Sequence, residues 1–495
     1  MKPPRKSATE LAETKGLPRF YVGDMAEVGA KLLEILQGGG EPLAGDFGSL
    51  WRYERLLRTW AELEPELLIN TVRSFSGAKI FKGVTEEGKE ITSTLKINAA
   101  DAAVKFALAA PSQWGRGRGW FEAAPQGVAF EDRFVRIEGG ALVHEPLGPD
   151  HRARWTLPCA WSEQLAGKIE GSAWMRYLAA TLGEGCGDKA RTIQEFTGAC
   201  LLGLVRQHQK ALMLVGSGSN GKSVLMEVIE ALFPASARST IPPQELASEY
   251  NRADLEGKAI NVVRELPEAE LLDTTKLKAL ITCEPMRGRK IYGHPFLFTP
   301  RCGQLYSANT LPTVRDRSHG FWRRWLVVTF DQEFAAAADI ASRPGALLAD
   351  AGLAERIIKD EIGIVAAWAL EGAARLLRQG GYSRLDQSAE AIQEWRVDTD
   401  QLAAFCEERL LLDELDERGP RGYRWCTVEE LHHDYTRWCN PTQNVLRVRE
   451  PLTQMIFGRQ LKALVRCEKL SYGSVKGVKR YRCAITTQPH YEVTP

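Results

Sequence analysis

The eight residues Gly216-Ser217-Gly218-Ser219-Asn220-Gly221-Lys222-Ser223 constrain this chain more than any others. They spell G-x-x-x-x-G-K-S, a loop whose backbone N–H groups cradle phosphate oxygens. An apolar run, Ala211 to Val215, precedes them and reads as a buried strand. Val224 to Phe233 follows with helical apolar spacing. Strand, glycine loop and helix form the context that such a site requires. A chance turn in a chain with 44 glycines is the competing reading, and the flanking elements argue against it. Glycines let the backbone bend around phosphates, and the helix N-terminus adds its positive dipole end. Lys222 is placed for the β- and γ-phosphates and Ser223 for a magnesium ion.

At 495 residues the chain is long enough for about three domains. A 44% hydrophobic and 26% charged composition is that of a globular protein. No apolar run approaches the roughly 20 residues of a membrane span. The basic start, Met1 to Lys6, is not followed by an apolar signal core, so an intracellular protein without a membrane partner is expected. Ten cysteines are scattered singly with no C-x-x-C pair, which predicts neither a zinc site nor a disulfide framework. Charge is uneven along the chain. Residues 401–435 hold nine acids against four Lys or Arg, whereas 441–484 hold ten Lys or Arg against two acids, a local net of +8. Such a basic segment suits a polyanion, with a merely solvated face as the alternative.

Between 210 and 335, apolar strand-like runs alternate with helices, which predicts a parallel α/β core. Before it, 20–110 mixes helices (Met25 to Leu36, Asn98 to Ala109) with Gly/Pro breaks, and 127–143 reads as three short strands. After it, 352–379 reads as a helix and 395–420 as a charged linker. Helices over Thr427 to Cys439 and Leu452 to Val465 and a hairpin with Gly473 and Gly477 near its turn complete the chain. The expected domains are 1–170 (α+β), 171–390 (the nucleotide-binding core) and 391–495 (linker and C-terminal domain).

Other parts of a nucleotide machine follow in order. Ala259 to Glu265 reads as a strand ending in a carboxylate, where ligands bind in open α/β sheets. Glu265 is the candidate to polarise an attacking water or to help position the metal; Glu268 and Glu270 are weaker candidates. Arg264 stands where the first acid of the usual Asp-Glu pair would be. A further strand, Gln304 to Asn309, ends in an amide able to bond both a γ-phosphate and the attacking water, although asparagine after a strand also serves as a turn residue. Arg315 to Arg324 then precedes the strand Trp325 to Phe330. Arginines there could reach a neighbouring subunit's nucleotide and offset charge on its γ-phosphate. Met286 to Phe296 predicts a hairpin, with Arg287, Arg289, Lys290 and His294 near its tip as candidate phosphate contacts. Tyr292 could stack on a base or pack against the domain.

The order GSGSNGKS, NVVRELPE, LKALITCEPMRGRKIYGHPFLFTP, LYSANTLPTVRDRSHGFWRRWLVVTF resembles the superfamily 3 helicase domain of phage and plasmid primase–helicases, which are AAA+ ATPases. The resemblance extends upstream through GVAFEDRFVRIEGGALVHEPLGPDHRARWTLPCAW and downstream through EIGIVAAWALEGAARLL to a winged-helix-like segment, roughly residues 45–485 in all. It implies a hexameric, ATP- and Mg²⁺-dependent ring that translocates on single-stranded and forked DNA. By position it assigns Gly216 to Ser223 to ATP binding, Ser223 and Glu265 to the metal, and Asn309 to sensing of hydrolysis. Arg324, or second Arg323, becomes the arginine finger, and the 287–294 hairpin the DNA grip. It further implies a bacterial or phage-infected cytoplasm, a separate primase or polymerase as partner, and duplex origin DNA or a protein as ligand of the C-terminal domain. Many relatives carry a polymerase-like primase domain; residues 1–170 show no acid cluster for one, so primer synthesis is not expected. An origin-binding initiator with little unwinding and a nucleic-acid-stimulated defence ATPase are the rival expectations.

Overall fold

The computed structural model describes residues 17–38, 40–46, 48–109, 119–266, 274–290, 295–312, 314, 316, 318–399, 402, 405–406, 409–411, 424–439, 451–465, 471–475 and 478–485. Its centre is a five-stranded, wholly parallel sheet. The strands are β1 (Ala211–Val215), β2 (Arg238–Ser239), β3 (Ile260–Val263), β4 (Gly303–Ala308) and β5 (Trp325–Thr329), in the spatial order β2-β3-β4-β1-β5. Alternate residues of each strand serve opposite faces, and both faces are covered. Leu212, Leu214, Val262, Leu305 and Val328 enter one core, and Met213, Val263, Tyr306, Trp325 and Val327 the other. That double burial is why these strands read as continuous apolar runs instead of alternating ones.

Four helices matter to the site. They are α1 (Ala173–Leu182), α2 (Cys186–Leu201), α3 (Lys222–Ala231), which leaves the glycine loop, and α4 (Leu353–Gln379). Helix α4 is long because its apolar spacing is sustained: Val365, Ala366, Ala369, Leu370, Ala373 and Leu376 are all buried. It packs chiefly on α2, where the fully buried Glu195 carboxylate accepts from Arg375 Nε at 2.7 Å. It also fixes α1. The Glu361 carboxylate accepts from the backbone N–H groups of Ala173 and Trp174, both at 2.9 Å, satisfying free donors at that helix start.

Packing crosses both expected domain boundaries. The antiparallel strands Val128–Ala129, Arg133–Glu138 and Ala141–Pro146 lie before residue 170. Yet Val128, Phe130, Val135 and Leu157 sit in the same core as α1, α2 and α4. Beyond residue 390, Trp395 lies on α5 (Asp386–Thr399) and is buried against Phe321, Trp322 and Trp325. Its Nε1 donates to the Pro312 carbonyl at 2.7 Å. The linker expected over 395–420 is corrected in its first part: 395–399 is helix, and Leu402, Phe405 and Cys406 are buried. A charged local sequence hid a few apolar anchors whose partners lie elsewhere in the chain.

Residues 20–108 have their own core of Phe20, Val28, Leu32, Phe75 and Val104. In the C-terminal part, helix Val428–Trp438 opens with Thr427 and Glu430 capping each other's backbone N–H. It packs on helix Gln454–Val465 through Leu431, Tyr435, Phe457 and Leu461. A hairpin, Ser471–Val475 with Val478–Ile485, adds the strand Arg424–Thr427 at its edge. Among the described residues no helix is long and apolar enough to cross a membrane.

Candidate nucleotide site

The glycine loop connects the C-terminal end of β1 to α3 at the sheet edge where open α/β folds bind ligands. Gly221, the residue before α3, has φ of 86°, a left-handed conformation that side chains resist. A Cβ there would also stand 2.6 Å from Thr181 Cγ2 of α1. Helix α1 therefore backs the loop closely, and Tyr177 Oη, on the same helix, donates to the Gly221 carbonyl at 2.8 Å. Burial pushes the Tyr177 hydroxyl pKa far above its ordinary value, so the phenol stays a donor through the working pH range.

Lys222 is buried at 6% exposure. Its Nζ donates to the Gly216 carbonyl and, at 3.1 Å, to Asn220 Oδ1. Burial lowers its pKa, and the Glu265 carboxylate partly opposes that shift. Asn220 is itself buried, and its Nδ2 reaches the Phe330 carbonyl at the end of β5 at 3.5 Å. Gly218 to Ser223 line a cavity of about 910 Å³, on the scale of a small-molecule site. Gly216 and Ser217, expected in the same loop, are not among the residues that line it. Glu265 and Asn309 line the same cavity, so the ends of β1, β3 and β4 bring Lys222, Ser223, Glu265 and Asn309 together.

Sequence reasoning missed part of the lining. Tyr177 and Thr181 come from α1, before the motif. Ala335, Asp339, Arg343, Leu348 and Asp350 come from the segment after β5, which folds back over the loop. That segment is bonded to the loop directly, Phe334 N donating to the Ser219 carbonyl at 2.7 Å. Nothing periodic marks it in the sequence. Arg264 also lines the cavity, but its side chain is engaged. Its Nε and Nη2 donate to the two carboxylate oxygens of Glu230 on α3, at 3.0 and 2.8 Å.

The structure does not bring Arg323 and Arg324 to this cavity. Both precede β5, and the Arg324 carbonyl accepts from Ala211 N at the start of β1, the opposite end of the strand from the loop. The Arg323 carbonyl accepts from Lys210 Nζ at 2.6 Å. Arg324 Nη1 donates to the Gly320 carbonyl, whereas its Nε is buried with no hydrogen-bond partner among the described residues. Burial lowers the guanidinium pKa, with Arg323 adding a like charge. Asp316 steadies the preceding loop, accepting from Lys278 Nζ at 2.6 Å and Thr274 Oγ1 at 2.8 Å.

The hairpin forms from Met286–Arg289 and Pro295–Phe298, with Arg289 opposite Pro295. Strand alternation buries Met286 and Gly288 and exposes Arg287 and Arg289, with Lys290 exposed after them. Lys290 Nζ lies 3.1 Å from Glu62 of the N-terminal domain, and the Arg289 guanidinium lies 5.8 Å from the Tyr250 ring centre. His294, Tyr292, Glu268, Glu270, Arg315 and Arg317 lie outside the described residues. Among the described residues no group of three or more His, Cys, Asp or Glu is placed to hold a metal ion.

Comparison with known proteins covers parts of this chain. The model of a family of unknown function, DUF5906, matches residues 214–324, a span running from the loop to Arg324. A protein of Acanthamoeba polyphaga mimivirus described as a "Putative helicase" is 28% identical over 142 residues. That match takes in 27% of this chain and 15% of the mimivirus protein's length. Among solved structures, an apo form of the NrS-1 C-terminal region is 12% identical, with a TM-score of 0.43, over 92% of this chain and 99% of that one. JCV helicase is 14% identical, with a TM-score of 0.23, over 50% of this chain and 65% of that one.

Proposed function

We propose that this chain is an ATP-driven DNA helicase of the superfamily 3, AAA+ type, working in replication of a phage, plasmid or integrated element. The observation that carries the reading is the convergence of Lys222, Ser223, Glu265 and Asn309 on one cavity at the end of a parallel sheet. The similarity to a mimivirus helicase-like protein supports the same class.

The residues suit a nucleoside triphosphate with magnesium. A Cβ at Gly221 would collide with Thr181 of α1, so the glycine lets the loop sit against that helix, and the loop's backbone N–H groups would serve phosphate. Lys222, buried near the phosphate position, would exchange its bonds to Gly216 and Asn220 for phosphate oxygens. Ser223 would hold the magnesium, with Glu265 near it. When bound, that ion supplies charge neutralisation across the β- and γ-phosphates. Glu265 would orient and deprotonate the attacking water, and Asn309 would bond both water and γ-phosphate.

Among the described residues, neither Arg323 nor Arg324 of the same chain lines the cavity. Arg324 sits at the opposite sheet edge, with a buried Nε that lacks a partner among the described residues. The site is then completed by Arg324 of a neighbouring copy, which requires an assembly, with a hexameric ring as the expected form. The exposed cations Arg287, Arg289 and Lys290 would face DNA phosphates and carry the strand as sites fire in turn. The C-terminal domain, in this reading winged-helix-like, would present helix Gln454–Val465 to duplex DNA. Forked-DNA unwinding tests the reading. Wild type should displace the strand with ATP, and Lys222→Ala should not. A wild type that hydrolyses ATP yet never displaces a strand would leave only a switch or signalling ATPase.

A further inference from the structure

The strand that supplies Glu265 lacks the expected acid before it, and the structure gives Arg264 a distinct task. Glu265 is exposed at the end of β3, and the chain on each side of it is anchored. On the far side, buried Leu266 donates its N–H to the Ser307 carbonyl of β4 at 2.8 Å. On the near side, Arg264 makes a two-pronged contact with Glu230, whose side chain is only 11% exposed. Parallel N–H···O bonds of this kind fix direction as well as distance. A lysine would carry the charge but lose the fork. Glu230 belongs to α3, the helix that begins at Lys222, so the pair ties the carboxylate strand to the phosphate-loop helix.

We propose that Arg264 is a positioning residue: its forked pairing with Glu230 sets the placement of Glu265 relative to Lys222, in the place of a second acid. This rests on the ATPase reading of the site. The alternative is that Arg264 leaves Glu230 and contacts phosphate itself. The two make opposite predictions, because a positioning pair works with the charges exchanged and a phosphate contact does not.

The test is steady-state ATP hydrolysis, with melting temperature and nucleotide affinity followed in parallel, for Arg264→Glu, Glu230→Arg, the double exchange, Arg264→Lys and Glu230→Gln. Displacement of reacting groups by an ångström is enough to lower turnover roughly 100-fold. Each single reversal should therefore cut kcat by about 10- to 100-fold while KM for ATP moves by less than about threefold. The double exchange should recover kcat to within about fivefold of wild type. Arg264→Lys, which keeps the fold and the charge, should still lose kcat with unchanged melting. Failure of the double exchange to recover, with normal melting and nucleotide affinity, overturns the pairing. So does a Glu230→Gln variant with unaltered kcat, or an Arg264→Lys variant as fast as wild type. An active wild type with an unrescued exchange overturns this proposal alone. A wild type that binds ATP but never hydrolyses it overturns the ATPase reading and this proposal together.

Discussion

Replacing Tyr177 with Phe should loosen the phosphate loop by a calculable amount. The ring stays in place: it is buried against Trp174, with ring centres 5.6 Å apart, and Phe keeps that packing. The bond from Oη to the Gly221 carbonyl, 2.8 Å in length, is lost. That carbonyl still accepts from Val224 N at 3.0 Å and Leu225 N at 3.3 Å, so it is not orphaned. At that carbonyl the cost is the net worth of one hydrogen bond, about 0.5–1.5 kcal/mol, without the larger penalty of a stranded acceptor. If that bond holds Gly221 in its left-handed turn, the loss appears in nucleotide binding as a Kd raised roughly 2- to 12-fold. Calorimetric titration of a slowly hydrolysed ATP analogue with magnesium reads it. Because burial keeps the phenol protonated, the ratio of the two affinities should stay flat across neutral pH. An unchanged Kd would mean that α1 does not support the loop. Complete loss of binding would mean that Tyr177 touches the nucleotide itself.

Other outcomes follow from the same geometry. The depressed pKa of Lys222 means that its ammonium is lost at lower pH than an ordinary lysine's 10.5, so ATP affinity should decline early on the alkaline side. A pH titration of binding whose alkaline limb is the same in Lys222→Arg would contradict this. Trp395→Ala removes a buried ring and its bond to Pro312, and should cost about 3–5 kcal/mol in chemical denaturation; a loss under 1 kcal/mol would place α5 outside the core. Lys290→Ala should weaken single-stranded DNA binding and lower the slope of log K against log salt by about 1, whereas Glu62→Gln should strengthen binding by freeing the same cation. Equal salt slopes for all three proteins would take the hairpin off the DNA path.

The loop, its strand and its helix were legible in the sequence because the motif and the periodicity reinforce each other locally. The third and fourth strands were legible for the same reason, each buried on both faces. What stayed hidden depends on contacts distant in sequence. Glu230 and Arg264 are 34 residues apart, and Glu361 caps a helix 188 residues away. Neither pair leaves a local signature. The alanine-rich segment after β5 carries no pattern that points to the site, and only folding brings Asp339, Arg343 and Asp350 to the cavity. Trp395 misled for the opposite reason: one aromatic anchor outweighed a run of charges around it. Arg324 was legible as a candidate to act on a neighbouring copy, because it precedes β5 and strand direction then places it at the edge away from the loop.

In the proposed helicase two copies of this chain share each ATP site, and mixing two inactive variants probes that sharing. Lys222→Ala lacks the loop lysine, and Arg324→Ala lacks the finger, so neither should hydrolyse ATP alone. Arg324→Ala should still bind nucleotide, since its lesion lies at the far edge of the sheet. In mixed assemblies some interfaces pair an intact Lys222 with an intact Arg324, and DNA-stimulated ATPase activity should return at those. A mixture as inactive as its parts, under conditions where mass measurement shows mixed assemblies, would mean that Arg324 does not complete a neighbour's site.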